Sequence, residues 1–159
     1  MAQVTDLRLP ADRAYAVVAK RTAGAIGAVA GLDVDQVDEV TIAVAQAFDN
    51  AIRCLEGSGF LTGQVRIAFK HDKRGLEVTV RSSVNRDTEI AAREHAQHEA
   101  VMARALVEEH AAADRAQLED AAATDLALRL MGLFVDQSTY QVDERTGGLR
   151  VRLTKYRAS

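Results

Sequence analysis

The chain contains few of the residues that build special chemistry or interrupt regular structure. Its 159 residues include one cysteine, one proline and no tryptophan. A single cysteine excludes an internal disulfide framework and is typical of a reducing compartment, so we expect a cytoplasmic location. No apolar run approaches the roughly 20 residues that a membrane-spanning helix needs, so we expect no contact with a membrane.

The chain also lacks a large excess of charge of either sign. Lysine and arginine together number 20, aspartate and glutamate 23, and the net charge is -3. A global field that would attract nucleic acid is therefore absent, and we expect no direct nucleic-acid binding. The length favours one domain over residues 1–159, large enough to bury its own core.

The pattern of apolar residues predicts helices in the first third of the chain. Residues 3–10 form a candidate strand that Pro10 closes, and residues 11–30 have helical periodicity that ends at Gly31. A second helix begins in an acidic stretch, which suits a helix N-terminus, and runs to about Leu55.

Two hairpins are predicted further along. Val65, Ile67 and Phe69 share a face in one strand, and Leu76, Val78 and Val80 share a face in the next. Thr124 is a candidate N-cap for an amphipathic helix, and a second hairpin turns at residues 146–148. The order β-α-α-β-β-α-α-β-β predicts an α+β two-layer sandwich, with a mostly antiparallel mixed sheet covered on one face by helices.

One buried helix carries two polar side chains that need an explanation. In TIAVAQAFDNAIRC, residues 41–54, Gln46 and Asn50 lie four residues apart and so on one face. A buried amide without partners costs about 1–3 kcal/mol. The pair is either a set of core amides that bond backbone or water, or part of a binding site.

The surrounding pattern resembles the GHKL (Bergerat-fold) ATPases, and within them the RsbW-like anti-sigma factors, which are bacterial serine kinases that bind sigma factors. The resemblance is clearest over VDEVTIAVAQAFDNAIRC, GLEVTVRSSV and LRLMGLFVDQSTYQVDERTGGLRVRLTK. It implies that Asn50 would hold the magnesium ion of ATP, and that a glutamate four residues earlier would be the general base. Gln46 stands at that position, and an amide cannot accept a proton at neutral pH.

The other two nucleotide motifs of the family are also altered. Ser82 stands where the resemblance implies an aspartate that binds adenine, and Val84 and Arg86 stand where it implies glycines. Residues 125–127, Asp-Leu-Ala, take the place of a glycine-rich turn that meets the phosphates. Gln46, Asn50 and Ser82 are therefore interpreted as the remains of a nucleotide pocket, with no catalytic residue and no cofactor expected.

Residues 86–123 have no evident counterpart in the family. They contain no glycine or proline and have strong helix propensity, which predicts a helical insertion or a modified lid. His95 and His98 in this segment could share a zinc ion, but no third ligand is evident and we expect no metal site.

The resemblance implies a homodimeric regulator that sequesters a sigma factor by protein contacts and is displaced by an anti-anti-sigma antagonist. An alternative is an active serine kinase that uses ATP and magnesium to phosphorylate that antagonist. A third interpretation keeps the fold in a scaffold or dimerisation subunit of another signalling complex.

Overall fold

The computed structural model of the chain describes residues 1–59, 62–84, 122–143 and 146–158. These stretches contain five strands, three α-helices and two short 3-10 turns. In chain order they are β1 (Gln3–Pro10), a 3-10 turn (Arg13–Tyr15), α1 (Ala16–Val29), α2 (Val34–Gly57), β2 (Gly63–His71), β3 (Gly75–Val84), α3 (residues 122–131), a 3-10 turn (Gly132–Phe134), β4 (Gln137–Val142) and β5 (Leu149–Tyr156).

The five strands form one sheet in the order β1-β2-β3-β5-β4, and every neighbouring pair is antiparallel. The strand β1 lies at one edge of the sheet and β4 at the other. The described helices pack on one face of the sheet, and no described element covers the other face. The predicted α+β two-layer sandwich is confirmed.

The core lies between α2 and the inner face of the sheet. Ile67 is opposite Val80 and Phe69 is opposite Val78, so the apolar faces predicted for β2 and β3 join into one buried surface. Phe48 of α2 is fully buried against it. None of the helices in the described stretches is both long and apolar enough to cross a bilayer.

The helix α2 is fixed at its start by reciprocal hydrogen bonds. The Asp33 carboxylate accepts from the Gln36 backbone N–H at 2.8 Å, and the Gln36 amide oxygen accepts from the Asp33 N–H at 3.2 Å. This capping box satisfies donors that the first helical turn leaves free. The Gln36 amide N–H also donates to the Tyr156 carbonyl at 2.7 Å, which ties the start of α2 to β5.

Asp136 locks the beginning of the last hairpin. Its backbone N–H donates to the Thr154 carbonyl at 2.9 Å, and its carboxylate accepts from the Tyr156 N–H at 2.6 Å. The hairpin therefore starts at a fixed register. Its turn, at residues 146–148, lies where the glycine pair predicts it.

Two expectations for residues 86–124 have different outcomes. The predicted N-cap role of Thr124 is wrong, because α3 already includes Ala122 and Ala123, and Thr124 lies inside the helix. Alanine has the highest helix propensity, which explains why the helix extends before Thr124. The predicted insertion or lid over residues 86–123 lies outside the described residues, apart from its last two.

Candidate functional site

Gln46 and Asn50 lie one turn apart on α2, as their spacing requires. Asn50 is 3% exposed, and Gln46 is half-buried. The buried Oε1 of Gln46 has no hydrogen-bond partner among the described residues. A buried carbonyl left without a donor is unfavourable for stability.

The same face of α2 continues into a cavity. Arg53 and Gly57 follow Asn50 at helical spacing, and both line a cavity of about 620 Å³. Its other walls come from the C-terminal end of α2, from α3 and from the β4–β5 hairpin: Cys54, Glu56, Ser58, Thr124, Asp125, Leu128, Tyr140, Val142 and Gly147. The cavity therefore lies at the C-terminal end of α2, beyond Asn50 along the same helix face.

The cationic side chains at this end of α2 are already paired. Arg53 contacts Asp49 at 3.1 Å. Arg13 contacts the same Asp49 at 3.1 Å and binds Glu56 through both guanidinium nitrogens, at 3.0 and 2.7 Å. A phosphate entering the cavity would have to compete with Asp49 for Arg53, the arginine that lines it.

The segment that the resemblance aligns with a phosphate turn, residues 125–127, is a continuous part of α3. Residues 125–127 lie inside the helix, so their backbone N–H groups are used within it. The Asp125 carboxylate accepts from the Tyr140 hydroxyl and contacts Arg129 at 2.8 Å. The hydrogen bond from Tyr140 lowers the pKa of Asp125, so this wall of the cavity carries a negative charge at neutral pH.

Ser82 has a structural role at the end of β3. It is 4% exposed, and its Oγ accepts from the Leu149 N–H at 2.8 Å. It lines a second cavity of about 610 Å³ together with Val84. The structure therefore does not bring Ser82 into the cavity that Arg53 and Gly57 line. Arg86, the other altered glycine position, lies outside the described residues.

The turn at residues 146–148 separates the two cavities. Gly147 lines the first cavity, and Thr146 and Gly148 line the second. Gly147 has a φ of 68°, and a Cβ atom there would lie 1.6 Å from the Ser58 Oγ and 2.9 Å from the Cys54 carbonyl oxygen. Only glycine fits both this backbone conformation and this approach to α2. The sequence identifies the turn, but it does not reveal the contact.

No nucleophile or metal centre is evident in the described stretches. Burial raises the pKa of the Cys54 thiol, which keeps the thiol protonated at neutral pH and disfavours a role as a nucleophile. Among residues 1–59, 62–84, 122–143 and 146–158, no three metal-binding side chains form a cluster. The two histidines at 95 and 98 lie outside these ranges.

Comparison with known proteins agrees with this architecture. None of the curated proteins matches the chain. The model of the histidine kinase-like ATPase domain matches residues 9–155, which is most of the chain. The five-stranded antiparallel sheet with helices on one face is consistent with that domain. The chain therefore belongs to the histidine kinase-like ATPase domain family, a GHKL-type fold.

Proposed function

We propose that this chain is an RsbW-like regulator that holds a sigma factor by protein contacts and does not need ATP. It acts in the cytoplasm, and an anti-anti-sigma antagonist competes for it. The observation that carries the proposal is the hydrogen bond between Ser82 and Leu149, because it engages the adenine-binding position of the family in a contact within the protein.

The absence of a base supports the loss of kinase chemistry. Gln46 occupies the position from which the family removes a proton, and a positioned base contributes about 10²–10⁴-fold to a rate. Its amide oxygen is buried and has no donor among the described residues, so it is not part of an organised proton path.

A magnesium nucleotide does not fit the residues that are present. The resemblance implies that Asn50 would be a magnesium ligand and that residues 125–127 would meet the phosphates, but Asp125 places a carboxylate at that turn, where it accepts from Tyr140. Arg13 and Arg53 are neutralised by Asp49 and Glu56. We therefore assign no step of the function to a bound nucleotide.

The proposed regulator is a homodimer that pairs through β1. Among the strands that the structure describes, β1 pairs with β2 alone, so none of them occupies its other edge. An open edge presents unpaired N–H and C=O groups that favour pairing with another strand. Light scattering should give the mass of a dimer, and a monomer mass over a wide concentration range would contradict this part of the proposal.

One observation favours a serine kinase as the second candidate. Asn50, the magnesium ligand of the family, is retained and buried on the helix face that leads into the first cavity. A kinase would use ATP and magnesium to phosphorylate the antagonist. It would require nucleotide binding, whereas the sequestering regulator does not.

Affinity capture followed by reconstitution tests the main proposal. The tagged protein is incubated with lysate of its source cells in two halves, one supplemented with ATP and magnesium and one with EDTA and apyrase. We expect a sigma factor to be recovered in equal amounts from both halves. In the reconstitution, the purified protein should bind the purified sigma factor and inhibit transcription by polymerase that carries it. Recovery that requires ATP would favour the kinase, and recovery of no sigma factor would overturn the proposal.

A further inference from the structure

The open face of the sheet carries a row of arginines that the strand register brings together. Arg8 is opposite Arg66, Arg66 is opposite Arg81, and Arg81 is opposite Arg150. All four side chains are exposed. Directly opposite residues on antiparallel strands point to the same face, so the four guanidinium groups cross β1, β2, β3 and β5 in one line. We call this line the arginine row.

Carboxylates on the same face neutralise only one side of the row. The Asp6 carboxylate accepts paired hydrogen bonds from the Arg66 Nε at 2.9 Å. These bonds lower the pKa of Asp6, and the positive charge of Arg8 lowers it further. Glu77 lies 3.9 Å from Arg152, which is next to the row on β5. Arg81 and Arg150 form no salt bridge with any other described residue.

This arrangement is unfavourable for the isolated domain. Like charges directly opposite on neighbouring strands destabilise a sheet. The net charge of the whole chain is -3, so the row is a local concentration of positive charge on an acidic protein. The row therefore points to an anionic partner that compensates the repulsion.

We propose that the arginine row is a docking surface for an acidic α-helix of a partner protein. Neighbouring strands are about 4.8 Å apart, and one turn of an α-helix rises about 5.4 Å. A helix with one glutamate or aspartate in each turn, laid across the strands, would meet successive arginines with successive carboxylates. The guanidinium fork suits this contact because it can bind a carboxylate through two parallel N–H groups.

The row fits a protein helix better than a nucleic acid or a membrane. Single-stranded nucleic acid binds to sheets through aromatic side chains on which the bases stack, and the row contains none. Long duplexes and anionic membranes would also experience the acidic remainder of the chain. The row lies on the opposite side of the sheet from the helices. Arg81 and Arg150 also line the second cavity, together with Ser82. The inference is therefore separate from the first cavity, and it does not depend on whether the partner is a sigma factor.

A designed peptide tests the surface without knowledge of the natural partner. The probe is a fluorescein-labelled, alanine-rich helical peptide of about four turns with one glutamate per turn, and its comparison peptide has glutamine at those positions. Fluorescence anisotropy at low ionic strength should detect binding of the glutamate peptide only. The double variant Arg81→Gln with Arg150→Gln should weaken that binding by about tenfold or more, because two charge-assisted contacts are lost.

A matched control removes the same charge elsewhere. Lys20→Gln with Arg21→Gln changes two exposed side chains of α1, and it should alter the affinity by less than about twofold. Equal losses in both double variants, or equal binding of the glutamine peptide, would overturn the proposal. Tighter binding of oligouridylate or of phosphatidylserine vesicles, with the same dependence on Arg81 and Arg150, would also overturn it in favour of that ligand.

Two further measurements distinguish a loss of peptide binding from a loss of folding: the melting temperature, and the affinity of a variant that keeps the charge. The double variant Arg81→Gln with Arg150→Gln removes like charges from neighbouring strands, so its melting temperature should be unchanged or higher than that of the wild type. Arg150→Lys keeps the charge and loses the fork, so we expect it to weaken the glutamate peptide by a few fold while the fold stays intact. An Arg150→Lys variant that binds as tightly as the wild type would contradict recognition by the guanidinium fork.

Discussion

The Ser82 hydroxyl accepts a hydrogen bond of 2.8 Å from the Leu149 backbone N–H. The ladder between β3 and β5 ends one position earlier, at Arg81 and Arg150. Ser82 therefore extends the connection between the two strands by a side-chain bond. The resemblance to the GHKL ATPases implies that related proteins have a nucleotide-binding residue at this position. Here the side chain stabilises the sheet.

The first prediction concerns this bond. Ser82→Ala leaves the buried Leu149 N–H without its acceptor, and we expect the free energy of unfolding to fall by about 1–3 kcal/mol. Urea denaturation followed by circular dichroism measures the loss. Ser83→Ala is the control, because the neighbouring Ser83 side chain is exposed and its loss should change stability by less than about 0.5 kcal/mol. Equal effects of the two substitutions would contradict the structural role of Ser82.

The second prediction concerns the unpaired oxygen of Gln46. Gln46→Met removes a buried carbonyl that has no donor among the described residues and replaces it with an apolar side chain of similar length. We expect the free energy of unfolding to rise by about 1 kcal/mol, because the desolvation cost of the oxygen disappears. The same urea titration provides the measurement.

Gln36→Met is the matched control for Gln46→Met. Both polar ends of the Gln36 side chain are bonded, one to the Tyr156 carbonyl at 2.7 Å and one to the Asp33 N–H at 3.2 Å. The same chemical change at this position should lower the free energy of unfolding by about 1 kcal/mol. If Gln46→Met is as destabilising as Gln36→Met, the Gln46 oxygen is satisfied and our interpretation of the position is wrong.

The third prediction concerns pH and the pair of Tyr140 and Asp125. The hydrogen bond to Asp125 and the negative charge of its carboxylate raise the pKa of Tyr140, and Arg129 acts in the opposite direction. The link is present at neutral pH. Its contribution to stability is lost as the pH rises through the raised pKa of Tyr140, or falls through the lowered pKa of Asp125.

Carbon-13 NMR of ring-labelled tyrosine measures the Tyr140 titration directly. Asp125→Asn should move its midpoint to lower pH, because the negative charge that opposes ionisation is removed. Arg129→Gln should move the midpoint to higher pH, because a cation that favours the phenolate is removed. Shifts of the same sign in both variants would show that Asp125 does not contact Tyr140 in solution.

The sequence was sufficient to predict most of the fold, because local patterns carry that information. Alternation in β2 and β3 identified the strands, and Gly31 has the positive φ of 76° that its predicted position after α1 requires. Thr124 is a favourable capping residue by type, but the alanines before it have high helix propensity and are already part of α3. The spacing of Asp33 and Gln36 is that of a capping box, and the structure shows one there.

The site was less predictable, because its contacts join residues far apart in the chain. Helical spacing placed Gln46 and Asn50 on one face. No local pattern indicated that Ser82 bonds Leu149 or that Gly147 packs on Ser58. The arginine row could not be predicted from local patterns, because it depends on the register of four strands. That register is set by the packing of the whole sheet.

The chain has the fold of an ATPase domain, and our central proposal is that it works without the nucleotide. Isothermal titration calorimetry of the purified protein with ATP, in the presence and absence of magnesium, tests this claim most directly. We expect no heat of binding up to millimolar nucleotide, because weakened contacts at two or more positions together lower affinity by about 10²-fold or more. Micromolar, magnesium-dependent binding of ATP would contradict the account.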